Sequence, residues 1–356
     1  MLRFFSRPPH AAAGDGTRPG WLAWWLVIVA AMVVLIVAVG GITRLTESGL
    51  SITQWDPVTG VLPPLTDEAW QAEFARYRAT PEYRYEAGPA GMTLGDFKAI
   101  FFWEWFHRLL GRVIGIAFAV PLVLAWFRGW IPKGYKLRLL ALLALGGLQG
   151  VFGWLMVRSG LGGTMTDVSH FWLSIHLCTA LITLAGLVWT ALDLHDLNQT
   201  GDARPALLRP IAMVAGAILF VQVLLGAWVA GLNAGHASDT WPLMQERFVP
   251  EADMSRGFFW AITHDPFLLH FLHRWFAWAA LGALLWLGWR ALPREGNAGQ
   301  AIIGLAIGQV LLGIVTVVTG VSLWIAVAHQ VTAALLVAAT AASAHAVGRR
   351  VGDHAA

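Results

Sequence analysis

The stretch "FFWEWFHRLLGR", Phe101 to Arg112, has the aromatic and leucine content of a membrane-spanning segment, yet it carries Glu104, His107, Arg108 and Arg112. An ionisable side chain at bilayer depth costs several kcal/mol unless it is paired or enclosed by protein. Either the segment is not a span, or it turns a charged face to the inside of a bundle that holds something polar or metallic.

Composition decides for a span. Of 356 residues, 57% are hydrophobic and 13% charged, against about 25% charged in soluble chains. Twenty tryptophans against four tyrosines suit bilayer interfaces, where the indole is half wet. The formal net charge of +3 is small and implies no nucleic-acid partner. The single cysteine, Cys178, excludes an intramolecular disulfide and reads as a small core residue. The first apolar run, Trp21 to Gly41, is too long for a signal-peptide core of about 7–15 residues and reads as a retained helix.

Eight apolar runs of spanning length lie near 21–42, 98–127, 137–158, 169–192, 209–232, 264–290, 300–319 and 322–347. Lys and Arg cluster in the N-terminal tail, the 128–138, 193–209 and 290–294 loops, and the C-terminal tail. All fall on one side if both termini are cytoplasmic. The expected protein is therefore an all-α integral membrane protein in the lipid bilayer, with longer outer loops at about 43–97 and 233–263.

The chain also repeats. Gly40, Gly49 and Trp55 recur 186 positions on as Gly226, Gly235 and Trp241. His107–Arg108 returns as His273–Arg274, "QGVFGWLMVRSG" from Gln149 echoes "QVLLGIVTVVTG" from Gln309, and "HLCTAL" at His176 echoes "HQVTAA" at His329. The expected organisation is two pseudo-symmetric four-helix bundles, 21–192 and 209–347, joined by a cytoplasmic linker at 193–208 and flanked by tails at 1–20 and 348–356.

The repeat singles out His107, His176, His273 and His329 among twelve histidines. Each falls roughly seven to nine positions into its run, some 10–14 Å below the outer boundary at about 1.5 Å per residue. Paired imidazoles facing across an apolar bundle suit six-coordinate haem iron, while zinc wants a third ligand that neither pair supplies. Glycines 111, 146, 147, 150, 153, 226 and 313 would leave room for a porphyrin or simply let helices pack closely. Both pairs lie towards the outer face, which disfavours electron transfer across the membrane. His10, His195, His345 and His354 read as solvated; His170, His236 and His264 read as structural or pocket-lining.

Glu104 shares a helix face with His107. It either forms an i,i+4 ion pair with Arg108 or acts at a porphyrin edge, accepting a proton or stabilising a developing cation. Three positions before His273 stands His270, so the halves match in ligands and differ beside them. Arg108, Arg112 and Arg274, with Arg44 and Arg158, either neutralise propionates or serve as interfacial charges.

The motifs "GGITRLTESGLSITQWDPVTGVLPP", "FKAIFFWEWFHRLLGR", "QGVFGWLMVRSGL", "TWPLM" and "AHQVTAALL" resemble the haem A synthase family of the alphaproteobacterial and mitochondrial branch, over about residues 21–347. The resemblance implies a haem-dependent membrane oxidoreductase. It would oxidise a methyl group of haem O to a formyl group by successive hydroxylations, giving haem A for cytochrome oxidase. It also implies substrate haem in the first half on His107 and His176, haem b in the second on His273 and His329, and Glu104 as the essential carboxylate. The cysteine pair that some members carry in the first outer loop is absent. Haem O synthase is the expected donor, an electron acceptor of unspecified kind completes the reaction, and a homo-oligomer is compatible. The short N-terminus favours a bacterial plasma membrane. The loop 43–97 would either close over the site, shaped by Trp55, Trp70, Pro63 and Pro64, or lie in the interface. The rival readings are a non-catalytic, quinol-linked dihaem b electron carrier and a haem transporter.

Overall fold

A computed structural model describes residues 16–56, 58–201 and 204–350. His10 and His354 lie outside the described residues. Among the described residues, eight helices are long and apolar enough to cross a membrane: α1 (Pro19–Leu45), α3 (Leu94–Phe127), α4 (Lys136–Gly160), α5 (His170–Thr200), α6 (Pro210–Gly231), α8 (Pro266–Ala291), α9 (Gly296–Val318) and α10 (Leu323–Gly348). Two short helices, α2 (Asp67–Tyr77) and α7 (Phe258–His264), lie in the long connections. Among the described residues there is no strand beyond an isolated bridge between Met244 and Arg247.

Most ends fall within a few residues of the apolar runs; α3 and α9 each start four residues early and α5 ends eight late, and local chemistry explains the first and last of these. α3 starts at Leu94 because Thr93 and Asp96 form a reciprocal capping box, satisfying N–H groups that a helix start leaves open. His107 consequently lies thirteen residues past Leu94, whereas His176, His273 and His329 lie six, seven and six past the first residues of their helices. α5 runs on to Thr200, where Gly201 at φ 78° caps it. Residues 193–200, expected as the start of a linker, are therefore helical.

The cause of that extension is a buried carboxylate. Asp193 accepts from Arg138 Nη1 at 2.5 Å, from the Ala206 N–H at 2.9 Å and pairs with His345 Nε2 at 3.0 Å. Neither Asp193 nor His345 is more than 3% exposed, so the expectation of a solvated His345 is corrected. Four parts of the chain meet at this one group: α4, α5, the connection to α6 and α10. Beside it, Arg349 pairs with Asp196 at 2.5 Å and with Glu295 at 3.6 Å, and the Leu207 N–H donates to the Gly348 carbonyl.

α1 is the central post. Leu22, Leu26, Val29, Val33 and Val37 recur at helical spacing and are buried. The helix packs against α3 and α5 and also against α10. On the long-loop side, Thr66 caps α2, which lays Trp70, Phe74 and Tyr77 on Phe97 and Phe101 at the start of α3. Ring separations of 5.0–6.5 Å between these groups fix the segment over α3.

Removing one partner of a buried ionic cluster typically costs about 3–5 kcal/mol. Asp193→Ala should therefore lower the detergent-solubilised melting temperature sharply. Arg349→Ala, at the more exposed end of the network, should cost well under half as much. Thermal unfolding followed by size-exclusion chromatography checks both.

Candidate functional site

The structure brings the four repeated histidines together in pairs. His107 on α3 and His176 on α5 rest on glycines of α1 and α4, and His273 on α8 and His329 on α10 line one cavity. Every ring lies edge-on to a glycine of a neighbouring helix. A Cβ built on Gly40, Gly153, Gly226 or Gly313 would stand 3.0, 3.3, 2.8 and 3.1 Å from Cε1 of His107, His176, His273 and His329 respectively. The glycines are therefore needed, and for the imidazoles themselves.

Beyond the glycines, glutamines hold three of the four rings. The Gln222 amide nitrogen lies 3.1 Å from both Nδ1 and the carbonyl oxygen of His273. Gln149, with its amide turned to satisfy both ends, stands 3.2 and 3.1 Å from the same two atoms of His176. Gln309 approaches Nε2 of His329 at 3.3 Å. His107 Nδ1 is buried and has no partner.

The second pair lines an apolar cavity that reaches into the first half of the chain, because Val37 and Arg44 of α1 and Leu177 of α5 form part of its wall. Arg44 donates to Asn233 Oδ1 at 2.9 Å and lies 3.5 Å from Asp167, leaving its Nε buried without an acceptor. Arg274 lines the same cavity with an equally unpartnered Nε. Two imidazoles, an apolar wall and two unsatisfied guanidinium N–H groups fit a haem with carboxylate side chains. The first pair fits the same group by its own imidazoles and by the glycines against them.

Glu104 is 3% exposed, and its carboxylate is fully engaged. Oε1 accepts from Arg108 Nε at 3.1 Å and Nη2 at 2.6 Å; Oε2 accepts from the Ser51 hydroxyl and the Ile52 N–H, both at 2.7 Å. The ion pair with Arg108 is thus present, along with two donors from the loop after α1. Arg108 also donates from Nη2 to the Ile52 carbonyl at 2.8 Å and from Nη1 to that of Gln54 at 3.0 Å. Arg112 holds the Asp56 carbonyl at 2.8 Å.

The second half repeats this strap. Arg274 donates from Nη2 to the Ser238 carbonyl at 3.0 Å and from Nη1 to that of Thr240 at 2.8 Å. Ser238 and Thr240 stand 186 positions after Ile52 and Gln54, so the same carbonyls meet the same guanidinium nitrogens. What differs is the cargo: His270 replaces Glu104 and Ala237 replaces Ser51. His270 lines the cavity, with Nδ1 buried and unpartnered.

Of the other expected residues, His236 lines the cavity, and His170 and His264 pack ring to ring at 5.1 Å. Arg158 lies over the Trp154 ring. Trp70 braces the long loop, while Trp55 is half exposed. Sequence reasoning missed Ser51, the glutamines and Glu82. The repeat marks the first two, since Ser51 changes where Glu104 changes; nothing in "TPEYRYEAG" marks the third.

The segment linking α2 to α3 holds Glu82, 6% exposed, with Oε2 unpartnered. Burial, reinforced by the charge of Glu104, pushes its carboxyl up to about 8.

An eight-helix membrane protein with two paired-imidazole sites and one strapped carboxylate is the class that the geometry defines. The family model described as Cytochrome oxidase assembly protein matches residues 23–341. The chain is 62% identical over 327 residues to a protein named Heme A synthase from Erythrobacter litoralis (strain HTCC2594), covering 92% of this chain and 97% of the relative. It is 59% identical over 336 residues to that of Sphingopyxis alaskensis, covering 94% of each, and 55% identical over 338 residues to that of Novosphingobium aromaticivorans, covering 92% and 95%. The chain belongs to the haem A synthase family of cytochrome oxidase assembly proteins. With its bacterial relatives and eight apolar helices, it is a multi-pass bacterial membrane protein.

Because its folded-state value lies above the unfolded value near 4.5, Glu82 keeps its proton while the unfolded chain loses it. Stability should therefore fall as pH rises from about 4.5 to about 8 and level off above. Glu82→Gln should match the parent melting temperature at pH 4, exceed it increasingly up to about pH 8 and keep a constant margin above that. Thermal scans across that range check the sign.

Proposed function

We propose that this protein oxidises a methyl group of haem O to the formyl group of haem A, for cytochrome oxidase, by successive hydroxylations. Two bundles, 21–192 and 209–347, would divide the work. His107 and His176 take haem O as substrate, His273 and His329 hold haem b, and the sites lie towards the outer face with both termini cytoplasmic. The relatives named Heme A synthase support the activity, the Lys and Arg distribution supports the orientation, and the observation that carries the division is Glu104. Only the first half sets a carboxylate, held by a serine hydroxyl, one turn from a paired imidazole.

Haem b held by His273 and His329 would supply one-electron redox chemistry. The residues supply binding, orientation and electrostatics. His107 and His176 fix the substrate's plane so that one methyl edge meets Glu104. Each Glu104 oxygen already accepts two hydrogen bonds, which occupies its in-plane lone pairs. The group is therefore built to stabilise positive charge developing at the methyl carbon, with its own charge fixed in place before reaction. To take up a proton it would first have to shed a partner, and the Ser51 hydroxyl is the one free to rotate. Arg108 does a second job by holding the loop at Ile52 and Gln54, which keeps water off the reacting edge. Arg44 and Arg274 would receive the propionates of haem b through their unpartnered Nε–H groups.

The test is to purify the protein from cells co-expressing haem O synthase, the expected donor, and identify the extracted porphyrins by chromatography with mass detection. Haem b together with haem O, haem A or a hydroxylated intermediate is expected; haem b alone would favour the dihaem electron carrier. Glu104→Gln should retain both haems and lose at least 100-fold in haem A formation, as for removal of a charge-stabilising group. Normal haem A output from that variant would refute the assignment.

A further inference from the structure

The repeat places a glutamine beside three of the four imidazoles and an isoleucine beside the fourth. Gln149 and Gln309 correspond in the third helix of each half, against His176 and His329. Gln222 of α6, against His273, stands 186 positions after Ile36 of α1. The same offset relates Gly226 to Gly40, the glycines on which His273 and His107 rest. Ile36 faces α3 one turn from His107: its Cδ1 lies 3.6 Å from where a Cβ on Gly111 would be. An aliphatic side chain therefore occupies the place of the amide; His107 Nδ1 is left buried with no partner, as is Nδ1 of His329, but His329 keeps an amide contact at Nε2.

Whichever ring nitrogen carries the proton, Gln222 and Gln149 each bond ring and main chain together and so hold the imidazole plane, while Gln309 restrains its ring through Nε2. Outer partners of metal-bound histidines orient the ligand and tune its basicity, and losing one typically costs about 10–100-fold in affinity. An unheld imidazole must also give up rotational freedom on binding. A resident cofactor benefits from two held ligands. A substrate that becomes a product must leave.

We propose that His107 is the releasable ligand of the first site and that Ile36 makes it so: the substrate haem stays anchored on His176 while its bond to His107 opens for entry and exit. This rests on the first half being the substrate site. Ile36 is a positioning residue acting through His107, and the glutamine at the matching place in the second half is what keeps haem b resident.

The holoprotein, loaded by co-expressed haem O synthase and solubilised in detergent, is mixed with excess apomyoglobin as haem acceptor, and the porphyrin lost is identified over time. The parent should lose haem O and haem A faster than haem b. Ile36→Gln should slow that loss about tenfold, with haem b retention unchanged as the internal check on folding, and Ile36→Leu should behave as the parent. Gln222→Ile should speed haem b loss by a similar factor. Equal release from Ile36→Gln and the parent, with haem b retained, overturns the proposal. So does unchanged haem b loss from Gln222→Ile, which decides the matter alone if Ile36→Gln misfolds. His176→Ala, which removes the anchoring ligand, distinguishes the deeper failure: if it carries the same porphyrins as the parent, the first half is not the substrate site, whatever the release rates.

Discussion

A guanidinium held within a membrane bundle needs acceptors from the protein itself, and that requirement organises both sites. Arg108 and Arg274 each follow a paired histidine, and each takes two carbonyls from the loop that leaves the preceding helix of the repeat. The loop is thereby held against α3, and its own N–H and hydroxyl groups come within reach of Glu104, one turn before Arg108. Glu104 can be buried only because that strap delivers Ser51 and the Ile52 N–H to it. Charge, loop and site form one unit, in which no member is satisfied without the others.

The differences between the halves come in matched sets. Where Glu104 becomes His270, Ser51 becomes Ala237, so the hydroxyl is present only where there is a carboxylate to receive it. Where Gln222 becomes Ile36, the glycine one turn on is kept, so room for the ring survives while its restraint is lost. The backbone scaffold of straps and glycines is common to both. The side chains pointed into it differ, with Glu104, Ser51 and Ile36 in the first half against His270, Ala237 and Gln222 in the second.

Much of this was legible in the sequence. Hydropathy placed eight spans, and the spacing of the repeat placed four histidines, because period and depth are properties of the chain alone. The ends of α3 and α5 were not, since they depend on the Thr93–Asp96 box and on the burial of Asp193. His345 read as solvated from its place near a helix end, and the structure pairs it with a carboxylate 152 residues away. Arg108 was expected either to neutralise propionates or to pair with Glu104; its donors are spent on Glu104 and two carbonyls, a fact of loop geometry that no spacing reveals. Glu82 was invisible for the same reason, its burial arising from the fold of α2 onto α3.

Gly40 and Gly41 are neighbours that look in opposite directions. Gly40 is the seat of His107, while Gly41 is closed over by Gln330, whose amide donates to the Val37 carbonyl and which follows His329 directly. One turn on, Arg44 enters the wall of the second cavity. The matching glycine of the second half, Gly226, is followed by Ala227, and α6 offers no such two-sided seat. The first helix therefore serves both sites at once, through Gly40 at His107 and through Val37 and Arg44 in the wall of the second cavity. A second half expressed alone would lack the part of its cavity wall that Val37, Arg44 and Leu177 supply.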